Sequence, residues 1–440
     1  MRIRLDSVGC RLNISEIGAF ARQLSRLGQC AVTDGAEAEL IILNTCAVTG
    51  AAARKSRHHI RRLRRDNPGA KLVVTGCLAE LEPSHVAALG IDLVVGNDAK
   101  DELVDLLVEG GFLPASDGAP EPRPASSGGR TRAFLKVQDG CDNRCAFCIV
   151  TTARGRGRSR PAPEVVRDVR ELVRAGYAEV VLSGVHLGSW GHDLGQPGGL
   201  EDLVRTVLTD TALPRLRLSS LEPWDLDDGF FSLFEDRRLL PHLHLPLQSG
   251  CDATLARMAR RTTLEKYRAL LATARRAVPD LAVSTDVMVA FPGETDAEFE
   301  TSLATVEELA FSHLHVFRYS RRPGTPAAAM PAQVSRPAAA ERSARMQALG
   351  ERLSERFHRA HLGRRLPVLW ESWRSRGSRR RWSGLSDNYI RVLADTGSDV
   401  ELTNRVTEVE LEGCSTRGMT GRIADGVQPA FVSPHLPVVP

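Results

Sequence analysis

The run Asp139-Gly140-Cys141-Asp142-Asn143-Arg144-Cys145-Ala146-Phe147-Cys148 carries three cysteines with the spacing C-x3-C-x2-C. It comes directly after Ala133-Phe134-Leu135-Lys136-Val137, an apolar stretch that predicts a β-strand. Three thiolates this close together can hold three corners of a cubane iron–sulfur cluster. The fourth iron is then left without a protein ligand and can bind a substrate. We therefore predict that Cys141, Cys145 and Cys148 bind a [4Fe-4S] cluster.

Zinc binding and burial in the hydrophobic core both fit these cysteines less well than an iron–sulfur cluster does. A structural zinc site uses four ligands, usually as two separated pairs, and no fourth Cys or His lies nearby in the sequence. Buried core thiols rarely come three in eight residues with polar residues between them. The cluster remains the favoured interpretation.

The C-x3-C-x2-C spacing resembles that of the radical S-adenosylmethionine (SAM) enzymes. The resemblance implies that the open iron chelates the amino and carboxylate groups of SAM. It also implies that an electron from the cluster cleaves a C–S bond of SAM and releases a deoxyadenosyl radical. The three cysteines are then the catalytic centre as well as metal ligands, and the protein positions and tunes the cofactor.

Length, composition and charge set broad limits on the protein. The 440 residues suffice for two to three domains, and the hydrophobic and charged contents, 42% and 25%, are ordinary for a soluble protein. A net charge of +4 is compatible with a nucleic-acid partner without indicating one. Neither a secretory signal nor a membrane-spanning helix is expected. The nine cysteines are therefore interpreted as cytoplasmic thiols used for metal binding or catalysis.

The chain is predicted to be an α/β protein with three domains. Residues 1–112 alternate strand-like and helical patterns, which predicts a parallel sheet with covering helices. Residues 113–129 are rich in proline, glycine and serine and are interpreted as a linker. Residues 363–432 contain short β-rich pieces separated by glycine and Asp-Asn turns, which indicates a small antiparallel, OB-like β-barrel.

Residues 130–362 are predicted to form a partial (β/α)6 barrel. Chemistry in such barrels lies at the C-terminal ends of the strands, and Cys141 follows the first strand-like run. An amphipathic pattern over roughly 338–362 predicts a packing helix that closes the region. The six strand-like runs are 133–138, 179–185, 215–220, 242–247, 282–290 and 313–320.

A second cysteine trio is spread over the N-terminal region. Cys10, Cys46 and Cys77 each lie just beyond a strand-like run. If these strands are parallel and adjacent, the three thiols emerge at one edge of the sheet, where open α/β sheets bind their ligands. Three unrelated buried cysteines are the alternative. We predict that this trio binds a second iron–sulfur cluster with an open iron.

The motifs around this trio resemble the N-terminal domain of the methylthiotransferases. They are Gly9-Cys10-Arg11-Leu12-Asn13, Asn44-Thr45-Cys46 and Thr75-Gly76-Cys77. The central region resembles the radical SAM core of that family, and the tail resembles its RNA-binding module, the TRAM domain. The resemblance covers nearly the whole chain apart from the linker and the last few residues, and it implies two [4Fe-4S] clusters and SAM as cofactors.

Within that family, several stretches resemble the branch that acts on threonylcarbamoyladenosine in tRNA. Two departures from the family pattern are visible: Ile149-Val150-Thr151-Thr152 stands where relatives usually have Pro-Tyr before Ala-Arg-Gly, and Cys251 stands where Ser is usual. Both leave the cluster ligands intact. The stretches that carry the resemblance are 215–223, 242–250, 291–295 and 315–328.

The reaction that the resemblance implies replaces the C–H at carbon 2 of this adenine, 3′ of the anticodon, by C–S–CH3. That C–H is neither acidic enough for a side-chain base nor activated for direct substitution, which is why a radical is required. One SAM gives the methyl group, another gives the radical, and the second cluster holds or supplies the sulfur. Reductive SAM cleavage needs a low potential, so an external electron donor and a sulfur source are implied as partners beside tRNA.

Several residues near predicted strand ends are candidates for binding SAM. Their alternative role as structural residues of the barrel is nearly as plausible. His242 and His244 alternate along one strand, so they are expected to share a face as a pair inside the barrel. The SAM candidates are Phe147, Gly184, Glu222, Gln248 and Asp286.

Two basic stretches are candidates for binding tRNA. Residues 54–65 form a basic helix between Cys46 and Cys77, and residues 374–382 combine arginines with tryptophan. Most charge runs are merely solvated faces, but the first of these stretches lies beside a predicted site. The candidate RNA contacts are Arg61, Arg62, Arg64, Arg65, Arg374 and Trp382.

Three alternative functions remain open from the sequence alone. The first is a sister methylthiotransferase that acts on isopentenyladenosine in tRNA or on an aspartate of a ribosomal protein. The second is a non-catalytic iron–sulfur RNA-binding protein, which would not need the open irons that two cysteine trios imply. The third, a zinc-binding RNA module, is the weakest.

Overall fold

The computed structural model describes residues 1–27, 31–32, 38–114, 131–196, 198–415 and 418–424. These residues form a five-stranded sheet, a curved wall of two three-stranded sheets and a closed five-stranded barrel, in that order. The predicted fold class is therefore confirmed. Most of the predicted linker lies outside the described residues, and the predicted domain boundaries at 112, 130, 362 and 432 stay predictions.

The N-terminal unit is a parallel sheet with the strand order β2-β1-β3-β4-β5. Every residue of β3 is buried, as expected for a parallel strand covered by helices on both faces. Because β1, β3 and β4 are adjacent and parallel, the residues after them meet at one edge of the sheet. The elements are β1 (Arg2–Ser7), α1 (Arg11–Arg26), β2 (Ala31–Val32), β3 (Leu40–Thr45), α2 (Gly50–Asp66), β4 (Lys71–Gly76), α3 (Cys77–Leu81), α4 (Pro83–Ala87), β5 (Leu93–Val95) and α5 (Leu103–Glu109).

The central unit contains all six predicted barrel strands, as β6, β9, β10, β11, β12 and β13. Two parallel bridges, Leu216 to Leu239 and Ser220 to His244, connect its two sheets into one curved wall. The elements are β6 (Arg132–Lys136), β7 (Gln138–Asp139), α6 (Val150–Arg154), β8 (Arg158–Ser159), α7 (Ala162–Arg174), β9 (Glu179–Ser183), α8 (Gly199–Asp210), β10 (Arg215–Leu218), β11 (His242–His244), α9 (Asp252–Arg257), α10 (Leu264–Ala277), β12 (Ala282–Val289), α11 (Asp296–Leu309), β13 (His313–Arg318), α12 (Pro326–Ala329) and α13 (Arg336–Arg359).

Helix α13 closes the central unit, as predicted, and packs against β13. A Cβ atom at Gly350 would lie 3.1 Å from the Cβ atom of Leu314, so the small residue permits close contact between helix and strand. The helix begins earlier than predicted, because the side chain of Ser335 accepts a hydrogen bond from Ala338 N–H and caps its first turn.

The C-terminal unit is a closed barrel with the strand order β14-β15-β16-β18-β17. Its pairs are antiparallel except for β16 with β18, which the sequence did not predict. The barrel docks on the central unit, where Arg217 of β10 donates hydrogen bonds to the carbonyl oxygens of Ser386 and Asp387. The strands are β14 (Arg365–Arg376), β15 (Arg379–Ser386), β16 (Arg391–Gly397), β17 (Val406–Ser415) and β18 (Gly418–Ile423).

A buried ion cluster holds the start of the central strands together. The Glu179 carboxylate is fully buried and lies 3.1 Å from Arg215 Nε and 2.8 Å from Arg217 Nε. Burial alone would raise the pKa of Glu179, but the two guanidinium charges outweigh it and lower the pKa to about 2. The carboxylate is therefore ionised at all ordinary pH values.

We expect Glu179→Gln to destabilise the protein by about 3–5 kcal/mol, because it leaves two buried arginines without their shared counter-charge. Urea denaturation at neutral pH measures the change. The ionised carboxylate contributes fully to the free energy of unfolding above its pKa in the unfolded chain, about 4.5. This contribution is lost as the pH falls toward 2. The stabilities of wild type and variant should therefore converge in that range.

Glu308→Gln is the matched control, because Glu308 pairs with Arg268 on the exposed surface. This substitution should leave the denaturation midpoint unchanged. A Glu179→Gln protein as stable as the control would contradict the role given to the buried cluster.

Candidate functional site

The first cysteine trio lies on the loop between β7 and α6, just beyond the first barrel strand. Its position is fixed by the backbone, since Cys141 N–H donates to the carbonyl oxygen of Gly155 over 3.1 Å. Gly140 adopts φ +69°, and a Cβ atom there would lie 1.8 Å from the carbonyl oxygen of Arg156. A residue with a side chain would therefore clash at this tight turn into the loop.

The thiols of this loop lie close to one another. Burial raises the pKa of Cys148 to about 12, and the nearby Cys145 and Cys141 sulfurs add to the effect. Burial also raises the pKa of Cys145. Thiols of this kind keep their protons in the absence of metal and lose them on coordination, so metal binding at this loop would release protons.

An apolar cluster shields one side of the loop. Phe147 packs edge-to-face on Phe291, with ring centroids 6.5 Å apart, and Met258 and Met288 are buried beside them. These side chains keep water away from that side of the three thiols. The contact of Phe147 with the adenine of SAM stays a prediction.

Two ion pairs that the sequence analysis missed flank the loop. His186 Nε2 lies 2.6 Å from Asp225 Oδ2. Burial alone would lower the pKa of His186, but hydrogen bonds to Asp225 and Cys141 outweigh burial and raise the pKa to about 10. Arg260 donates from Nη1 and Nη2 to the two carboxylate oxygens of Glu222, at 3.1 and 2.6 Å, and its Nη1 is 3.8 Å from Cys145 Sγ. Both cations therefore lie beside cysteine sulfurs. The Gly-Val-His sequence at 184–186, just after a strand, was the available signal for His186.

The remaining predicted SAM residues lie in the same region, but in different settings. Gly184 follows β9, and a Cβ atom there would lie 2.9 Å from Gln138 Oε1. Gln248 has φ +72°, an uncommon conformation for this residue, and its Oε1 has no partner among the described residues. The sequence places Asp286 at the end of a strand, but in the structure it lies inside β12. Its Oδ1 is 3.3 Å from His244 Nε2.

The second cysteine trio meets at the edge of the N-terminal sheet, as predicted. Cys10 follows β1 and is exposed, whereas Cys46 after β3 and Cys77 after β4 are buried. Burial raises the pKa of Cys46 to about 11, and the charges of Cys10 and Cys77 add to the effect. Gly9 adopts φ +142°, and a Cβ atom there would lie 2.6 Å from the Cβ atom of Cys46, so glycine lets two of the cysteines approach.

A buried ion cluster lies between the two trios. Glu16 Oε1 is 2.9 Å from Arg154 Nη1 and 2.7 Å from Lys100 Nζ, and Arg154 Nη1 also donates to Asp139 Oδ1 over 2.8 Å. Although burial opposes it, Arg154 and Lys100 lower the pKa of Glu16 to about 2. Glu16 and Lys100 belong to the N-terminal unit, whereas Arg154 and Asp139 flank the first cysteine loop. The cluster therefore joins the two cysteine sites.

Within the described ranges, no three Cys, His, Asp or Glu side chains are grouped so that they could hold a single metal ion. The cysteines of a cubane each bind a different iron, so they need not be close enough to share one ion. Two sets of three thiols, each on a glycine-shaped turn beyond a parallel strand, fit clusters of this kind.

The predicted basic helix is α2, and its arginines play different parts. Arg61 and Arg62 are exposed, and Arg65 is exposed beside Asp66. Arg64 instead donates to the carbonyl oxygens of Gly90 and Ala70 and pairs with Asp92, which ties α2 to the sheet domain. Arg64 therefore has a structural role, and its predicted RNA contact stays a prediction.

The prediction of an RNA contact for Trp382 is wrong, because its ring is fully buried in the barrel and its Nε1–H donates to Thr396 Oγ1. The exposed ring belongs to Trp373, the cross-strand neighbour of Trp382. Arg380 lies over the face of Trp373, 4.2 Å from its centroid, and Arg374 is exposed beside it.

The lumen of the partial barrel is lined by polar side chains. His242 Nε2 and His244 Nδ1 lie 3.1 and 2.9 Å from Ser284 Oγ, which confirms that the two histidines share a face. The ring of His315 lies 5.3 Å from that of His244, and His313 and His315 are both exposed. The open side of the lumen is therefore polar and accessible to solvent.

Comparison with known proteins identifies relatives over most of the chain. Residues 135–306 match the family model described as the radical SAM superfamily, and residues 2–96 match the uncharacterized protein family UPF0004. The chain is 36% identical to the threonylcarbamoyladenosine tRNA methylthiotransferase MtaB of Thermotoga maritima, with 88% of this chain and 90% of that protein covered. It is 35% identical to the tRNA-2-methylthio-N(6)-dimethylallyladenosine synthase of Novosphingobium aromaticivorans, with 96% and 97% covered.

Among solved structures, the chain resembles the radical S-adenosylmethionine methyltransferase TsrM from Kitasatospora setae with tryptophan and a SAM analogue bound. The TM-score is 0.55 at 17% identity, over 74% of this chain and 75% of that one. This likeness shows a shared fold. In the part of the chain that the structure describes, no helix is both long and apolar enough to cross a membrane.

Proposed function

The chain belongs to the radical SAM methylthiotransferase family, and from this premise we propose that it adds a methylthio group to C2 of N6-threonylcarbamoyladenosine, 3′ of the anticodon in tRNA. The observation that carries the choice of substrate is the polar lumen around His244 and His315. A threonylcarbamoyl group is polar and ionised, so it suits this surface better than an apolar isopentenyl group does.

In this proposal, Cys141, Cys145 and Cys148 hold one [4Fe-4S] cluster with SAM at its open iron, and the second trio holds another. When bound, these groups supply the radical that removes hydrogen from C2, the sulfur and the methyl group. The reaction also needs an external electron donor and a source of sulfur. Both trios are needed, because one site makes the radical and the other holds the sulfur.

The protein's own residues prepare the first site for this chemistry. Arg260 and His186 place positive charge beside Cys145 and Cys141, which favours an anionic set of thiolates. Gln248 presents an unpartnered amide oxygen near the strand ends, where it can accept a hydrogen bond from the amino group of SAM. The apolar wall around Phe147 limits access of water to the radical.

The tRNA is proposed to contact the exposed face of α2 and the tip of the small barrel. Arg61 and Arg62 of α2 can pair with backbone phosphates, and Trp373 with Arg380 offers a surface on which a base can stack. These surfaces belong to the first and last units of the chain, so a bound tRNA would contact both units.

A second candidate substrate is isopentenyladenosine in tRNA. The dimethylallyladenosine synthase relative is about as similar in sequence as the threonylcarbamoyladenosine enzyme, so overall identity does not separate the two.

The deciding experiment is mass spectrometry of tRNA nucleosides from a strain in which the gene is deleted. We expect the methylthio form of threonylcarbamoyladenosine to disappear and its unmodified precursor to accumulate, with full recovery on complementation. Loss of the methylthio form of isopentenyladenosine instead would refute the proposed substrate.

We expect about eight irons per chain after anaerobic reconstitution, because each trio holds one four-iron cluster. Changing Cys141, Cys145 and Cys148 together to Ala should halve the iron content and abolish formation of deoxyadenosine from SAM. Changing Cys10, Cys46 and Cys77 to Ala should halve the iron but preserve deoxyadenosine formation while stopping methylthiolation. Iron analysis and chromatography of the products measure these outcomes.

Cys414→Ser is the matched control, because Cys414 is exposed on the small barrel and belongs to neither trio. This variant should keep the full iron content, the formation of deoxyadenosine and methylthiolation. Deoxyadenosine formation by the variant that lacks Cys141, Cys145 and Cys148 would show that the first site is misassigned.

We expect Trp373→Ala to weaken tRNA binding by about 1–3 kcal/mol, the usual contribution of a base stacked on an aromatic ring. Reversing charge at Arg61 and Arg62 should also weaken binding and should flatten its dependence on salt, because fewer phosphates are then neutralised. Titration with fluorescent tRNA at several salt concentrations measures both effects.

Charge reversal at Arg352 and Arg356 is the matched control, since both lie exposed on α13, outside the two basic surfaces. It changes the net charge equally and should have a smaller effect on binding. Equal losses in the two double variants would mean that only overall charge matters.

A further inference from the structure

A tyrosine of the small barrel enters the lumen of the central unit. Tyr389, in the turn between β15 and β16, has φ +69°, a conformation that is uncommon and strained for a bulky residue. Its ring stacks on that of His242, with centroids 4.4 Å apart and an angle of 18° between the planes. The strained turn therefore directs an aromatic ring into the barrel.

Three arginines surround this ring, and one of them differs from the others. Arg132 pairs with Glu371 at 2.8 Å, and Arg217 pairs with the buried Glu179 at 2.8 Å. Arg11, the first residue of α1, donates from Nη2 to the hydroxyl oxygen of Tyr389 over 2.9 Å. Its centre of charge lies 5.6 Å from the ring centroid.

No carboxylate of the described residues lies within ion-pair distance of Arg11. The residue is only partly exposed, so its guanidinium has given up some water without gaining a counter-charge. Four of its five N–H donors are not used by the Tyr389 hydroxyl. A half-buried fork of this kind is suited to bidentate binding of a carboxylate or phosphate.

The surroundings leave Arg11 as a fixed positive charge at this end of the lumen. Burial and the charges of Arg217 and Arg11 lower the pKa of His242. Partial burial and the charges of the neighbouring histidines lower the pKa of His315. Both rings are therefore neutral at neutral pH. Arg11 also follows Cys10 directly in the chain, so its backbone adjoins the second cysteine site while its guanidinium reaches toward Tyr389.

We propose that Arg11, held in place by the Tyr389 hydroxyl, binds the carboxylate of the threonylcarbamoyl group and so selects this base over one that carries an isopentenyl group. The inference rests on the proposed function. In adenine, C2 and the carbon that carries N6 flank the same ring nitrogen, so the substituent on N6 and the reacting C2 lie on neighbouring edges. Because Arg11 follows Cys10 directly in the chain, a carboxylate held by Arg11 would place the substituted edge of the base on the side of the second cysteine site. Tyr389 is a positioning residue in this arrangement.

The test compares binding of four anticodon stem-loop RNAs that differ only in the base 3′ of the anticodon. The bases are N6-threonylcarbamoyladenosine, its carboxyl methyl ester, N6-isopentenyladenosine and adenosine. Reconstituted wild-type protein with SAM should bind the acid at least tenfold more tightly than the ester, as measured by anaerobic fluorescence anisotropy. The preference for the acid over the ester should fall below twofold in Arg11→Gln. It should fall to an intermediate value in Arg11→Lys and should decrease several-fold in Tyr389→Phe.

Arg61→Gln is the matched control, because it removes one exposed cation from the same unit but outside the lumen. It should weaken binding of all four RNAs by the same factor and keep the ratio of acid to ester. An equal loss for all four RNAs in Arg11→Gln would overturn the inference, because Arg11 would then contact the phosphate backbone. An unchanged ratio in a less stable Arg11→Gln protein would also overturn it, because the role would then be structural.

The same measurements separate failure of this inference from failure of the proposed function. If wild type itself shows no preference for the acid and methylthiolates only isopentenyladenosine in cells, the proposed function fails. If wild type modifies threonylcarbamoyladenosine and prefers the acid while Arg11→Gln keeps that preference, only the assignment of Arg11 is wrong.

Discussion

The buried ion cluster of Glu16, Lys100, Arg154 and Asp139 is the constraint on which the arrangement of the two cysteine sites depends. Charges removed from water are tolerated only in close pairs with good geometry, and removal of one partner leaves another uncompensated. Two members, Glu16 and Lys100, come from the N-terminal unit, and two come from the segments that flank the first cysteine loop. Any shift of one unit against the other would separate these pairs. The low pKa of Glu16 shows that the carboxylate stays charged over the whole physiological range.

The same principle governs the lumen, where all three units contribute. Arg11 comes from the sheet domain, the histidines come from the barrel strands, and Tyr389 comes from the small barrel. The strained conformation of Tyr389 persists because Arg11 and His242 hold its ring on two sides. The small barrel therefore forms part of the wall of the lumen as well as carrying the exposed Trp373. If the proposed tRNA contacts are correct, one folded unit would contribute both to binding the RNA and to placing the base.

The sequence predicted those features that depend on local spacing, and it missed those that depend on contacts between distant residues. The C-x3-C-x2-C loop, the six barrel strands and the convergence of Cys10 with its two partners were all legible from pattern. The choice between Trp373 and Trp382 was not, because the two residues pair directly across the β14–β15 hairpin and share a face. They differ in their neighbours: β15 is paired on both sides at Trp382, whereas the pairing of β14 with β17 covers only residues 365–369 and does not reach Trp373. Arg64 could not be told from its neighbours, because its partner Asp92 comes from beyond the next strand. Arg260 and His186 were missed because only the fold brings them to the cysteines.

The two cysteine trios also differ in when they come into being. Cys141, Cys145 and Cys148 lie within eight consecutive residues, so even an unfolded chain keeps them near one another. Cys10, Cys46 and Cys77 follow three different strands and converge only after β1, β3 and β4 have paired in register. Closing those long loops is the entropic cost of forming the N-terminal sheet. The second site is therefore a product of folding. If this trio holds the proposed cluster, iron would have to reach it after the sheet exists, through the edge at which Cys10 is exposed.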